Sequence, residues 1–182
     1  MKIIFLDIDG VLNSECCYKK DSKRYRIHPR YMRNLKRIVK KTGAKIVLTS
    51  VMRGTIRKNP FHYVHQIFHD YGLSIYDYTA KGDSTIRGYE IQDWLDKHRD
   101  VTNIVIIDDD TDMVHLSKYL VRTLSWPYAK AKDGSMVRNK SPFAWLTEGL
   151  NRKAANKAIK MLKRPYVNIY AMKNSSICRK AF

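Results

Sequence analysis

Residues 5–13 of the chain read Phe5-Leu6-Asp7-Ile8-Asp9-Gly10-Val11-Leu12-Asn13. The residues that lead into Asp7 are mostly β-branched or aromatic, which predicts a fully buried strand over Lys2–Leu6. Asp7 and Asp9 are two residues apart at the end of this strand, so both can meet one ligand. Gly10 permits a sharp backbone turn directly after them. The first strand therefore delivers two carboxylates to its carboxyl end.

The same arrangement recurs twice further along the chain. Ala44–Leu48 and Asn103–Ile107 are short apolar runs typical of buried strands. Each of the three predicted strands ends in polar residues that can do chemistry: Asp7 and Asp9 after the first, Thr49 and Ser50 after the second, Asp108 and Asp109 after the third. In parallel sheets a ligand binds at the carboxyl ends of the strands, so we expect these side chains to meet.

Helical periodicity separates these strands. Apolar spacing and capping residues predict helices over about Pro29–Gly43, Pro60–Tyr71, Tyr89–His98, Met113–Tyr119 and Asn151–Lys163, with a further strand near Leu120–Leu124. Strands that alternate with helices indicate an α/β fold: a Rossmann-like, doubly wound parallel sheet with helices on both faces and at most a small cap.

The length of 182 residues suits one domain with small additions. We expect a catalytic domain over residues 1–163 and a basic C-terminal tail over residues 164–182. Residues 54–80 are a possible small cap or lid insert, and residues 125–147 read as an irregular insert.

No apolar run approaches the roughly 18 residues that cross a bilayer. The three cysteines form neither a CxxC pair nor a disulfide framework. We therefore expect a cytoplasmic protein that does not bind membranes.

The net charge of +18 is unevenly distributed. Residues 18–41 carry eleven Lys and Arg against one acid, and residues 151–182 carry nine against none. Residues 81–113 instead hold nine acids and four bases. An acidic centre between basic segments favours a polyanionic partner such as nucleic acid. Lysine-rich helix faces that are merely solvated are the alternative.

Four carboxylates at one sheet edge would repel each other unless a cation shared them. Oxygen ligands without histidine favour Mg²⁺, and a Mg²⁺ ion among carboxylates can also bind a phosphoryl oxygen. One carboxylate of the first pair could attack phosphorus while the other moves a proton. A cation must also neutralise the transferred phosphate, and Arg87 and Lys81 are the candidates.

The chain resembles the haloacid dehalogenase (HAD) superfamily. Three segments carry the resemblance in the expected order: residues 5–13, Ile46-Val47-Leu48-Thr49-Ser50 and Ile106-Ile107-Asp108-Asp109. More narrowly, it resembles the small capless HAD domain of Swiss Army Knife RNA repair proteins. That resemblance rests on three further elements: Thr-Ser-x-x-Arg ending at Arg53, Arg-Gly-x-Glu-Ile-x-x-Trp-Leu over 87–95 and Asp-Asp-Asp-x-Asp-Met over 108–113.

The resemblance implies Asp7 as the nucleophile and Asp9 as the acid and base. It implies a Mg²⁺ ion held among Asp7, the Asp9 carbonyl and the acidic pair Asp108 and Asp109. It also implies Thr49 and Arg87 on the phosphate, with Lys81 as the alternative to Arg87. Ser50 and Arg53 are further candidates for binding the phosphate or the substrate. For Arg53 the alternative is a surface residue of a helix.

Three functions follow from these observations. The first is a Mg²⁺-dependent phosphatase with an aspartyl-phosphate intermediate that removes a terminal, chiefly 3′, phosphate from nucleic acid. The second is a phosphatase for nucleotides or other small phosphate esters. The third is an inactive nucleic-acid-binding module on the same fold. The sequence leaves hydrolysis and phosphotransfer to another acceptor, and the oligomeric state, open.

Overall fold

Strands and helices alternate along the chain, as the sequence predicts. The computed structural model describes residues 1–14, 27–81, 86–124, 128–130, 136–138 and 148–167. The strands of the main sheet are β1 Lys2–Leu6, β2 Lys45–Leu48, β3 Ile75–Tyr78, β4 Asn103–Asp108 and β5 Leu120–Arg122. The helices are α1 Pro29–Thr42, α2 Arg53–Lys58, α3 Tyr63–Asp70, α4 Arg87–Lys97 and α5 Arg152–Met161, with a 3₁₀ helix at Val114–Tyr119.

The main sheet is entirely parallel and has the strand order β3-β2-β1-β4-β5. β1 lies at its centre, where Leu6 is opposite Leu48 of β2 and Ile107 of β4. β3 and β5 are the two edges. The register brings the carboxyl ends of the three predicted strands side by side.

Helices cover both faces of the sheet, which confirms the doubly wound α/β architecture. Ile4 and Leu6 of β1 pack on one face in a core shared with α1, α2, α3 and α5. Ile3 and Phe5 point to the opposite face, where α4 and the 3₁₀ helix cover them. Because both faces of β1 are buried, its sequence is continuously apolar rather than alternating.

The helix boundaries follow from local capping. The His28 side chain accepts a hydrogen bond from the Arg30 amide at the start of α1, and Pro29 occupies the first turn. Gly43 ends α1 in the left-handed conformation with φ of 66°. Asn151 caps α5 by accepting a hydrogen bond of 3.0 Å from the Ala154 amide.

Segment 54–80 contains a strand that the sequence did not predict. β3 joins the main sheet beside β2, and its side chains are half-buried or exposed. An edge strand of this kind lacks the continuous apolar run that reveals a central strand. The predicted helix Pro60–Tyr71 is shorter, at Tyr63–Asp70, and the separate helix α2 precedes it.

Segment 125–147, predicted as irregular, contains two short strands. β6 Tyr128–Lys130 and β7 Met136–Arg138 pair antiparallel in a separate two-stranded sheet. The rest of that segment lies outside the described residues, as do residues 15–26 and the tail beyond residue 167. The polar and basic stretch 14–27 is expected from the sequence to be a loop or flap, and only its two ends are described. In the described part of the chain, no helix combines the length and apolarity needed to cross a membrane.

Candidate active site

Backbone hydrogen bonds extend the sheet by one residue beyond its strands. The Asp7 amide donates to the Ile107 carbonyl at 3.0 Å, and the Thr49 amide donates to the Leu6 carbonyl at 2.9 Å. The Thr123 amide donates to the Asp108 carbonyl at 2.8 Å. Asp7 therefore lies between Thr49 and Asp108 on one continuous edge, where the sequence placed them.

Three carboxylates meet at this edge. Oxygen atoms of Asp7, Asp108 and Asp109 all lie within 4.8 Å of one another. Burial raises the pKa of Asp7 to about 6 and that of Asp108 to about 7, although the Arg87 guanidinium beside them opposes the rise. The charged forms of carboxylates at this spacing repel each other, so a cation shared among them would favour their ionised forms.

Arg87 provides part of that positive charge. Its Nη1 donates to Asp7 Oδ1 at 3.1 Å and to the Thr49 carbonyl at 2.6 Å, and lies 3.5 Å from Asp108 Oδ2. Its Nε and Nη2 have no hydrogen-bond partner among the described residues. Lys81, the alternative candidate, is exposed and makes no contact with the three carboxylates within that part of the chain. The geometry therefore favours Arg87 for contact with a phosphate.

The loop after β4 fixes Arg87 at the start of α4. Asp112 Oδ2 accepts a hydrogen bond of 2.9 Å from the Arg87 amide, and the Asp112 carbonyl accepts one from the Gly88 amide. A Cβ atom on Gly88 would overlap the Met113 carbonyl, so only glycine allows this close approach. The loop that begins at Asp109 thus also positions Arg87.

Asp9 lies outside the three-carboxylate group. Its Oδ1 accepts a hydrogen bond of 2.8 Å from Asn13 Nδ2, and Asn13 Oδ1 accepts one from the Gly10 amide. Gly10 has φ of 71°, and a Cβ atom there would overlap the Asp109 carboxylate. The expected convergence of four carboxylates is therefore corrected to three, with Asp9 held at the side by Asn13.

Thr49 has the property expected of a phosphate contact. Its side chain is fully buried, and its Oγ1 has no hydrogen-bond partner in the described part of the structure. A buried polar atom without a partner is costly unless a ligand supplies one. Ser50 is equally buried, but its Oγ accepts a hydrogen bond of 3.3 Å from the Met52 amide. Of these two residues, Thr49 is therefore the one whose hydroxyl has no hydrogen-bond partner among the described residues.

Arg53 has a different environment from the one the sequence suggested. The two expectations were a substrate clamp and a surface residue, but the side chain is buried and its five N–H donors all contact protein acceptors. These acceptors are the carbonyls of Thr49, Ser50, Thr79 and Ala80 and the Glu90 carboxylate, at 2.6–3.2 Å. Arg53 consequently joins the ends of β2 and β3 to α4 and has no free donor for a substrate.

Three residues that hold this site together were not recognised from the sequence as site residues: Asn13, Glu90 and Thr123. Thr123 Oγ1 donates to the Gly10 carbonyl at 2.9 Å. The first two lie inside the quoted motifs, so the motifs could have indicated them. Nothing near Thr123 in the sequence indicates its contact.

The donor set fits a divalent cation. Three carboxylates lie together, and the buried Asp108 Oδ2 has no hydrogen-bond partner in the part of the chain described. A hard ion such as Mg²⁺ takes oxygen ligands of this kind. Asp7, Asp108 and Asp109 could therefore hold a metal ion.

A cationic cavity adjoins the site at the β5 edge. Its volume is about 900 Å³, and it is lined by the end of β5 and one side of α5. Its described lining residues include no acid and five cations: Arg122, Arg152, Lys153, Lys157 and Lys160. Arg122 Nε also donates to the Asp109 carbonyl at 3.0 Å, so the cavity begins next to the carboxylates.

Comparison with known families confirms the resemblance. The family model described as "HAD domain in Swiss Army Knife RNA repair proteins" matches residues 3–126, more than half of the chain. No curated protein matches the sequence. The matched region contains the three carboxylates, Thr49 and Arg87. The chain belongs to the family of HAD domains found in Swiss Army Knife RNA repair proteins.

Proposed function

We propose that the protein is a Mg²⁺-dependent phosphatase that removes a terminal phosphate, chiefly a 3′-phosphate, from nucleic acid. The observation that carries the proposal is the incomplete set of interactions at the strand ends. Among the described residues, the buried Asp108 Oδ2 in the three-carboxylate group and the buried Thr49 hydroxyl have no hydrogen-bond partner. A phosphate with its metal ion would complete both.

In the proposed reaction, Asp7 attacks phosphorus through a carboxylate oxygen and forms an aspartyl-phosphate. The bond between phosphorus and the leaving oxygen breaks, and Asp9 gives that oxygen a proton. Asp9, now ionised, takes a proton from a water molecule as this water attacks the phosphorus and the bond between phosphorus and the Asp7 oxygen breaks. Inorganic phosphate leaves, and both carboxyl groups return to their starting states.

The other residues of the site bind and orient the phosphate. Thr49 donates its free hydroxyl to one phosphoryl oxygen, and Arg87 neutralises negative charge with its unused N–H groups. Asn13 keeps the Asp9 carboxylate directed beside Asp7. A Mg²⁺ ion among Asp7, the Asp9 carbonyl, Asp108 and Asp109 would supply charge neutralisation, which also favours the ionised form of Asp7.

Two observations support nucleic acid as the substrate. The family description names RNA repair proteins. In addition, α1 and α5 pack side by side, and Arg37 Nη1 donates to Asn156 Oδ1 at 2.7 Å. The described parts of the two basic segments, residues 27–41 and 151–167, thus contribute to one surface, which includes the β5-edge cavity. This surface could contact phosphates beyond the terminal one.

A phosphate-release assay tests the proposal. It compares a 3′-phosphorylated RNA, a 5′-phosphorylated RNA, the matching DNAs and mononucleotides, with Mg²⁺ and with chelator. We expect release from the 3′-phosphorylated oligonucleotide only with Mg²⁺, and none from Asp7→Asn. Faster release from mononucleotides would instead favour the small-ester phosphatase, and no release from any substrate would favour an inactive binding module.

A salt titration tests the basic surface separately. Charge reversal at Lys36, Arg37, Lys157 and Lys160 should raise the KM for an oligonucleotide and leave that for a mononucleotide nearly unchanged. Wild-type KM for the oligonucleotide should also rise steeply with salt, because each phosphate contact releases counterions. Equal salt dependence for both substrates would contradict a nucleic-acid role for this surface.

A further inference from the structure

A second cationic cavity lies at the opposite edge of the sheet, after β3. It has a volume of about 440 Å³ and is lined by α2 and by the residues that follow β3. Arg57, Lys58 and Lys81 contribute three positive charges, and none of the described lining residues is acidic. The buried Arg53 forms part of the wall, with its donors already occupied. The described lining of the cavity therefore presents exposed positive charge without an acidic partner.

The same cavity also offers apolar surface. Tyr78 lines it beside Arg57, which opposes the rise that burial gives the pKa of the Tyr78 hydroxyl. Val51, two residues after Thr49, is 81% exposed at the rim. Cations combined with an aromatic ring and an exposed apolar side chain are typical of surfaces that bind single nucleic-acid strands.

The two cationic cavities flank the catalytic carboxylates. β1, which carries Asp7, is the central strand, and the cavities follow the two edge strands β3 and β5. Each edge is two strand spacings from β1, or about 10 Å. At a rise of about 3.4 Å per nucleotide in a stacked strand, this distance corresponds to roughly three nucleotides.

A strand whose terminal phosphate lies at Asp7 can extend toward one edge only. If it runs along the larger β5-edge cavity and α5, the β3-edge cavity faces the nucleic acid beyond the terminal phosphate. At a free end nothing occupies that position. At a nick or a short gap, the neighbouring strand begins there.

We propose that the β3-edge cavity binds the backbone of the strand on the far side of a break, so that the preferred substrate is a terminal phosphate at a nick or gap. This inference rests on the phosphatase function proposed above. It adds a substrate class, a break whose two strands both contact the protein. It assigns the contact with the far strand to Arg57, Lys58 and Lys81.

Three substrates that share one 3′-phosphorylated strand test the inference. The first is that strand alone, the second is the strand annealed to a longer complementary strand, and the third adds a downstream strand with a 5′-hydroxyl to complete a nick. We expect the KM for the nicked substrate to be lower than the KM for the second substrate by on the order of tenfold, as for two added phosphate contacts at moderate salt.

The double variant Arg57→Gln/Lys58→Gln should lose this advantage. Both side chains are exposed, so the fold should tolerate the change. The slope of log KM against log salt should fall by about 2 for the nicked substrate and remain the same for the single strand. The matched control is Lys97→Gln/Arg99→Gln, which also removes one lysine and one arginine. Both are exposed, Lys97 as the last residue of α4 and Arg99 two residues after it. This control variant should keep the lower KM for the nicked substrate.

Three results would overturn the inference. A downstream strand that leaves KM unchanged or raises it would show that no far strand binds. An equal loss on all three substrates in the Arg57/Lys58 variant would assign the cavity to the terminal nucleotide of the phosphorylated strand. Release from the single strand without a preference for the nick would refute this inference alone, whereas no release from any substrate would refute the phosphatase function as well.

Discussion

Two arginines lie at the carboxyl edge of the sheet, and both donate to the carbonyl of Thr49. Arg53 is buried, its five N–H donors all have protein acceptors, and Glu90 neutralises its charge at 2.6 Å. Arg87 uses only Nη1, faces more than one carboxylate, and has unused donors within the described residues.

The difference separates a structural arginine from one that can act on a ligand. A buried polar cluster whose members are all satisfied stabilises one arrangement and has no capacity left for a substrate. The cluster around Arg87 has the opposite property, since Asp108 Oδ2 and the Thr49 hydroxyl have no hydrogen-bond partner among the described residues. We therefore expect a substitution of Arg53 to lower mainly stability and a substitution of Arg87 to lower mainly catalysis.

The largest expected effect is on stability, at Arg53. Arg53→Gln leaves Glu90 buried without its partner, so the free energy of unfolding should fall by about 3–5 kcal/mol. Urea denaturation measures this, and Arg57→Gln, an exposed arginine one turn further along α2, should change it by no more than about 0.5 kcal/mol. If Arg53→Gln does not fold, Arg53→Lys should fold with a smaller loss. A loss below 1 kcal/mol in Arg53→Gln would contradict a structural role.

The next effect is on catalysis, at Arg87. Arg87→Gln should lower kcat by about 10²–10³-fold, as expected when one charge-stabilising donor is removed. Lys81→Gln should lower it less, because Lys81 is exposed and does not contact the carboxylates among the described residues. Steady-state kinetics under saturating Mg²⁺ gives both values. The opposite ranking would transfer the phosphate contact to Lys81.

A smaller effect distinguishes two buried threonines. Thr123 Oγ1 is hydrogen-bonded to the Gly10 carbonyl, so Thr123→Val should cost about 1–3 kcal/mol of stability. Thr49 Oγ1 has no partner in the described structure, so Thr49→Val should cost no stability. The kcat of Thr49→Val should fall by five- to tenfold, which corresponds to the loss of one hydrogen bond of about 1 kcal/mol. Equal losses of stability in both variants would show that Thr49 has a partner.

The smallest effect is the pH dependence of stability without metal. Folding raises the pKa of Asp7 to about 6 and that of Asp108 to about 7 from 3.8, chiefly through burial. The folded state then binds protons more tightly, so its stability is greatest below about pH 4 for these groups and falls as pH rises toward 7. Thermal unfolding in chelator should show a smaller fall for Asp7→Asn. An equal fall in both proteins would contradict the raised pKa of Asp7.

The catalytic edge could be predicted from the sequence because its residues follow short apolar runs. Asp7, Thr49 and Asp108 each come directly after a buried strand, and parallel pairing alone brings such positions together. Arg53 could not be interpreted in this way, because its acceptors include Thr79 and Glu90, which are distant in sequence. β3 was not predicted either, since an edge strand carries no continuous apolar signal. The motifs could be identified in the sequence, but the contacts between them could be seen only in the structure.

The central claim is that Asp7 carries the phosphoryl group, and trapping of the intermediate tests it most directly. An aryl phosphate has a leaving group that departs without a proton, so Asp9→Asn should still form the aspartyl-phosphate but hydrolyse it slowly. After an acid quench, peptide mass spectrometry should find one phosphate on Asp7 that hydroxylamine removes. No phosphorylated protein, or a phosphate on any other residue, would contradict the account.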